Sequence, residues 1–398
     1  MENTSVVQPD ILNKLNNYYQ EKFDFLISEI IKICEIPAPT FEEDPRGDYV
    51  IERMQSIPRL IIQKDKFKNI IIRYPGVESK AKLAILAHLD TVFPLSKIEV
   101  KKTSDSLTAP GIGDNSTSVG VLLHIIESWD KFNFIPPFDI LFVTNACEEG
   151  LGDLKGVRGL LDDYCSNAVN KVDLKTLLSI DGTIERVTHI GTGVKRYKIE
   201  INSKGGHSWS DFNTNGIFSA IHIIGTIIAD ISMIKVPEVP KTTYNVGIVE
   251  GGTSINTIAS NASILIDFRS TSDIELARLD GLLMNIVNYH TKNVKNVRAD
   301  ITIVGNRPSG KIPFDHPLVQ KIKEAAEEIK LSFIPTSGVA STDANIPLSR
   351  NIPAVAFGCY SGVGAHTESE TVQTKSLIKG VPFTNLSIIK TIDWLMSN

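Results

Sequence analysis

The feature that most constrains this chain is an alternation of two hydrophobic periods. "NIIIRY", "LAILAH", "FDILFVTN" and "KTLLSID" are short runs in which apolar residues follow one another almost without a break, and helically spaced stretches such as "STSVGVLLHIIESW" lie among them. A strand with one wet face alternates apolar and polar residues, whereas an unbroken apolar run is buried on both faces. Strands of the second kind, separated by helices, predict an α/β fold with a mixed, mostly parallel sheet and helices on both faces. The pattern runs from about residue 17, where "YYQEKFDFLISEIIKICEI" reads as a helix, to about 185. It returns from about 306 with the helix "HPLVQKIKEAAEEI", strand "LSFIP", helix "DANIPLS", strand "AVAFG" and a last helix from about 375.

Between these halves the order changes to strand "KRYKIEINS", helix 213–233, strands "TYNVGIVE" and "ASILIDFRS", helix 273–292 and strand "RADITIV". That β-α-β-β-α-β order is the ferredoxin-like plan. The second of its helices opens on Ser272 and Glu275, spaced as a capping box. The expected organisation is one α/β domain of residues 1–192 and 306–398, interrupted at 193–305 by a smaller α+β module.

Composition removes several classes of function. The 398 residues carry a net charge of −5, and no Lys/Arg stripe could neutralise a row of phosphates, so nucleic acid is not an expected partner. "IFSAIHIIGTIIADISMI" is interrupted by His222 and Asp230 and has the length of a soluble helix, so no membrane role is expected. The first residues, "MENTSVVQPD", lack a basic stretch followed by an apolar one, and four cysteines (Cys34, Cys147, Cys165, Cys359) stand without a CxxC pair; both predict a cytoplasmic setting.

In an open α/β sheet, ligands bind beyond the carboxyl ends of the strands. "LAILAH" delivers His88 and, two residues on, Asp90; "PGIGDNSTS" delivers Asp114; "FDILFVTNACEE" delivers Glu148 and Glu149; "KTLLSID" delivers Asp181; the loop after "AVAFG" delivers His366. Taken singly, each has an ordinary structural reading: a buried histidine, an Asp capping a helix, a solvated Glu-Glu pair. Together they put several carboxylates and two imidazoles at one rim, where like charges out of water repel unless cations lie among them. His with Asp/Glu ligands suits zinc, and cobalt or manganese also. If Asp114 bridges two ions, His88 with Asp181 and Glu149 with His366 complete the two sites; two divalent ions then balance three carboxylates and one hydroxide. Glu148, on the opposite side of an extended chain from Glu149, remains to act as base. Asp90 is spaced to accept a proton from the His88 ring nitrogen that faces away from metal. No GxSxG elbow and no complete GxGxxG loop is found.

The pieces "HLDTV", "GIGDN", "ACEEG", "SIDG", "GGHS", "GGTSINTI", "DFRS" and "GAHTESE", in this order across nearly the whole chain, resemble the co-catalytic zinc peptidases and deacylases. That family includes glutamate carboxypeptidase, peptidase T, acetylornithine deacetylase and succinyl-diaminopimelate desuccinylase. The resemblance implies Asp114 as the bridging ligand, His88 with Asp181 on one metal, Glu149 with His366 on the other, Glu148 as general base and Asp90 as the orienter of His88. It also implies His207 of "GGHS" as a donor to the scissile carbonyl, reaching it by lid closure or from a dimer partner. Asn256 and Arg269 would grip a substrate carboxylate, although Arg269 also has the plain reading of a salt bridge to Asp267. Glu370 would support His366, or else be an exposed acidic residue. Asn115, Ser116 and Thr117 depart from many relatives, which carry Lys or a second acid just after the bridging Asp.

The activity implied is hydrolysis of amide bonds in short peptides, di- or tripeptides or a carboxypeptidase type of substrate, with two divalent ions, zinc first. "IPAPTFEE" and "GGHSWSDFNTN" look most like the peptidase T-like branch. An N-acyl amino acid deacylase is the alternative, and a non-catalytic binding protein on the same fold is the reading from another class. A homodimer formed through the inserted module is the expected assembly.

Overall fold

The computed structural model describes residues 9–165, 172–212, 214, 217–337 and 340–397. The chain divides into two compact units: Thr192–Gly310 is one, and the segments on either side of it together form the other.

The first unit is built on a mixed sheet whose central strands run in the order Ile61–Lys64, Ile70–Tyr74, Phe138–Asn145, Glu78–His88, Val172–Ile180, Ala354–Phe357, Arg186–Gly191. Phe138–Asn145, Glu78–His88, Val172–Ile180 and Ala354–Phe357 are parallel to one another, while Ile70–Tyr74 and Arg186–Gly191 join this centre antiparallel. The unbroken apolar runs are therefore the middle of the sheet, and Leu83–Ala87 are fully buried there. Pairing of His88 with Asn145 brings the ends of two neighbouring strands level, so the loops that leave them start from one rim. Helices Phe23–Glu35, Ser118–Lys131 and Leu377–Met396 contribute Ile30, Val121, Ile125 and Ile388 to the same core.

A second, small sheet of Ser361–Val363, Thr371–Gln373, Ser106–Thr108 and Lys101–Lys102 was not expected, its strands being two or three residues long. It ties the chain just before Asp114 to the hairpin that carries His366.

The inserted unit has a four-stranded antiparallel sheet in the order Thr242–Gly251, Asn261–Ser270, Gly193–Asn202, Arg298–Arg307, with helices Ala220–Ser232 and Asp273–Thr291. This is the ferredoxin-like order, closed around a core of its own that includes Tyr197, Ile199, Ile227, Phe268 and Leu279.

Several local expectations are corrected. Residues 18–36 form two helices, Pro9–Glu21 and Phe23–Glu35, meeting at Lys22. The helix expected from 213 begins at Ala220; residues 213, 215 and 216 lie outside the described ones. Ser272 is the N-cap of its helix but makes no side-chain capping bond, and Glu275 pairs with Arg278 instead, because that cation lies one turn along the same face. The strand expected at "LSFIP" begins only at Ile334, and the helix of "DANIPLS" only at Asn345. Among the described residues no helix is long and apolar enough to cross a membrane.

Candidate active site

His88 is the last residue of the central strand and is buried. Asp114 lies in a wide, kinked turn, Ile112–Thr117, where it and Asn115 have non-helical dihedrals and are joined by a cis peptide bond. Asp114 does not cap the following helix, whose N-cap is Thr117. Gly113 is required in this turn, since a Cβ there would fall about 2.5 Å from the Tyr360 hydroxyl and 2.6 Å from Glu370 Oε1. The turn is fastened twice. The Asn115 amide donates to the Ile180 carbonyl at 2.9 Å, next to Asp181, and the Asp114 N–H donates to Glu370 Oε1 at 2.9 Å. The departure at Asn115 thus has a local purpose: it ties the turn of one candidate ligand to the strand end of another.

Three of the expected ligands, His88, Glu149 and His366, lie around Asp114. His88 Nε2 is 2.9 Å from Oδ1, and His366 Nε2 is 3.1 Å from Oδ2 and 2.9 Å from Glu149 Oε1. Ligand atoms of His88, Asp114 and Glu149 all lie within 4.8 Å of one another. Both His88 Nε2 and Asp114 Oδ1 are buried and form no hydrogen bond despite their proximity, the arrangement expected of lone pairs meant for a cation. Asp181 follows the adjacent strand, its N–H held by the Phe357 carbonyl at 2.8 Å.

The electrostatics agree. Burial, and then the neighbouring Asp114, push the Asp181 carboxyl up to about 7. Burial and Asp114 likewise push Glu370 up to about 8. Burial alone would raise Asp114, but the imidazoles of His366 and His88 beside it outweigh that and hold the carboxyl well below the usual range. The same pairing, with Asp114 first and Glu149 second, raises His366 to about 11. For His88, burial works against the charged ring, yet Asp114 and Asp90 raise it well above the ordinary imidazole value. Both rings are therefore drawn to carry positive charge by the acids around them, a demand that divalent cations meet.

Asp90 comes nearest to the His88 ring through its main chain. His88 Nδ1 lies 3.0 Å from the Asp90 main-chain carbonyl and 3.6 Å from its carboxylate. That carboxylate instead accepts the N–H groups of Glu148 and Glu149, each at 2.9 Å, and the Thr40 hydroxyl at 2.9 Å. Glu148 is buried beside this cluster.

Glu370 is buried, which removes its reading as an exposed loop acid, and its contact is with the Asp114 main chain. Asp343 was not expected. It is buried, accepts the Asn145 amide at 2.8 Å, and adds to the field that raises Asp181. The helix read at "DANIPLS" does not single Asp343 out from its neighbours.

In the inserted unit, His207 is exposed on a short strand paired with Thr257–Ile258. Its Nδ1 accepts the Trp209 N–H at 3.2 Å, which leaves the ring proton on Nε2 as a donor. The Asn256 carbonyl accepts the Ser208 N–H at 3.0 Å, so these two loops are joined, and the Asn256 side-chain oxygen accepts from Ser254 at 2.7 Å. Arg269 Nε donates to Asp267 at 2.6 Å, and Asp267 also accepts Arg196 Nε at 2.9 Å. The salt-bridge reading of Arg269 is thus realised through one edge of its guanidinium.

A family model described as peptidase family M20/M25/M40 matches residues 84–388. The chain belongs to that family. A "Probable carboxypeptidase" from Arthroderma otae is 24% identical over 322 residues, spanning 72% of this chain and 68% of the relative. An N-acetyldiaminopimelate deacetylase from Halalkalibacterium halodurans is 22% identical over 249 residues, spanning 60% of this chain and 64% of the relative. Among solved structures, a tripeptidase from Staphylococcus aureus has the same fold, with a TM-score of 0.77 at 20% identity over 94% of this chain and 99% of that one.

Proposed function

We propose that this family member hydrolyses amide bonds of short peptides as an exopeptidase, using two divalent ions, zinc in the first place, with cobalt or manganese as workable substitutes. The observation that carries the reading is the meeting of His88 and His366 on the two oxygens of Asp114, with Glu149 on His366 and its ligand atom within 4.8 Å of those of His88 and Asp114. In this assignment Asp114 would be shared by the two ions, His88 and Asp181 would hold one, and Glu149 and His366 would hold the other.

When bound, such ions lower the pKa of a water from about 15.7 towards about 7 and draw charge from a carbonyl. Glu148 takes the proton released by the water and passes it to the departing amine nitrogen. His207 supplies its Nε2–H to the carbonyl oxygen as negative charge develops there. Asn256 offers its amide hydrogens, and Arg269 the guanidinium edge turned away from Asp267, to the carboxylate end of the substrate. The carboxylate of Asp90 acts on the chain carrying Glu148 and Glu149, while its carbonyl orients His88.

The second reading, an N-acyl amino acid deacylase, is favoured by the deacetylase likeness and requires the same chemistry. Turnover of di- and tripeptides measured beside N-acetyl and N-succinyl amino acids, with zinc supplied, separates the two. Hydrolysis confined to the N-acyl compounds would replace the peptidase reading.

We assign the protein to a reducing cytoplasm, with the buried thiols of Cys34, Cys147 and Cys359 in support. We assign it a homodimer joined through the inserted unit, in support of which Thr242–Gly251 is an edge strand with Ile248 and Val249 exposed. Light scattering on the purified protein tests the second assignment.

A further inference from the structure

The stretch "IPAPTFEE", residues 36–43, supplies none of the candidate ligands, yet it is built into the site. The Thr91 N–H donates to the Ala38 carbonyl at 2.9 Å, and the buried Arg46 guanidinium reaches the Leu89 carbonyl at 2.7 Å and the Ile36 carbonyl at 2.8 Å. These bonds dock the segment against the chain that leaves His88. From it, Thr40 bonds the Asp90 carboxylate, and Glu43 turns its own carboxylate inward, fully buried.

There Glu43 meets Cys147. Its Oε1 accepts the Cys147 N–H at 3.1 Å, the Cys147 thiol at 3.3 Å and the Phe41 N–H at 2.8 Å. Cys147 has φ of 58°, in the left-handed region that a residue with a Cβ adopts only where its surroundings hold it. The next two N–H groups, of Glu148 and Glu149, are those held by Asp90. Three consecutive main-chain donors are thus clamped by two buried carboxylates at the point where the strand Phe138–Asn145 gives way to the proposed base and ligand.

We propose that Glu43 is a positioning residue: by accepting the Cys147 main-chain and thiol hydrogens it fixes the turn from which the Glu148 and Glu149 side chains leave. The inference rests on the roles given above to those two residues. It requires the acceptor oxygen of Glu43 rather than its charge, so glutamine should substitute and alanine should not.

The test uses the full-length, metal-loaded protein with its best peptide substrate. Glu43→Ala should lower kcat on the order of tenfold or more while KM stays within about twofold, since the defect lies in aim rather than in substrate contact. In a zinc titration of the stripped protein, one of the two equivalents should bind on the order of tenfold more weakly, because Glu149 is one of its proposed ligands. Glu43→Gln should stay within about threefold of wild type in both measurements. Wild-type kcat and zinc affinity in Glu43→Ala would overturn the proposal, as would a Glu43→Gln protein as impaired as the alanine variant. Should Glu43→Ala not fold, Glu43→Gln decides alone by the same limits. Glu148→Gln separates the two levels: if it turns over normally the base assignment fails, whereas an inactive Glu148→Gln beside a fully active Glu43→Ala sinks the positioning role only.

Discussion

His88 and His207 carry the same side chain in opposite surroundings. His88 is sealed at the end of a strand, its ring facing Asp114 on one side and a main-chain carbonyl on the other; His207 is exposed on a two-residue strand paired with Thr257–Ile258, its ring accepting the Trp209 N–H. The contrast extends to the units that hold them. In the first unit the candidate residues are brought together by a buried parallel sheet and an additional small sheet, and their titration is strongly perturbed. In the inserted unit His207, Asn256 and Arg269 are exposed. A cluster of acids and imidazoles out of water demands cations and is assembled in advance, whereas groups that meet a substrate's carbonyl or carboxylate need only be presented on a surface.

The comparison predicts a graded response to substitution. The largest effect belongs to the buried side: Glu148→Gln should lower kcat by on the order of a thousandfold with metal content unchanged, measured by steady-state kinetics and elemental analysis of one preparation. Unaltered turnover would remove Glu148 from its role. Next comes the exposed side. His207→Ala should lower kcat by about a hundredfold, the usual loss of one oxyanion donor, without changing the zinc stoichiometry. If zinc binding fell as well, the division of labour drawn between the units would be wrong. Smaller again, Arg269→Ala should raise KM about tenfold, mainly for substrates with a free carboxylate, and Arg269→Lys should not restore it because the planar fork is lost. An equal rise for carboxamide-blocked peptides would leave Arg269 with its Asp267 salt bridge alone.

The smallest effect concerns pH and stability. In the metal-free protein Asp181 and Glu370 titrate at about 7 and about 8, above their unfolded values near 4. Stability from these two groups is therefore fully present below about pH 4 and is lost as pH rises through 7 to 8. Metal binding runs the other way, since its ligands must be deprotonated. The gap in melting temperature between zinc-loaded and metal-free protein should widen from pH 5.5 to 8; a gap that narrows would refute the linkage.

Much of this is legible in the sequence, for physical reasons that also mark where legibility ends. The apolar runs before His88, Asn145 and Ile180 read as buried strands because burial on both faces leaves no polar alternation, and the polar residues at their carboxyl ends fall at one rim. The small sheet that carries the approaches to Asp114 and His366 is invisible there, since strands of two or three residues have no period to detect. Spacing brings Asp90 to the His88 ring but does not tell which of its oxygens comes nearer, the carbonyl at 3.0 Å or the carboxylate at 3.6 Å. Glu43 reads as one of an acidic pair in a loop; only its burial against Cys147 distinguishes it from Glu42, which is exposed. The capping box at Ser272 fails because Arg278 competes for Glu275.

All of this depends on five side chains holding a pair of cations. Zinc-soaked crystals examined by anomalous scattering test that directly. Two peaks separated by about 3.5 to 4 Å, one on each side of the Asp114 carboxylate and within bonding distance of His88 or His366, are the predicted result. Ordered His88, Asp114 and His366 side chains with no anomalous peak among them, or with the zinc bound elsewhere, would contradict it.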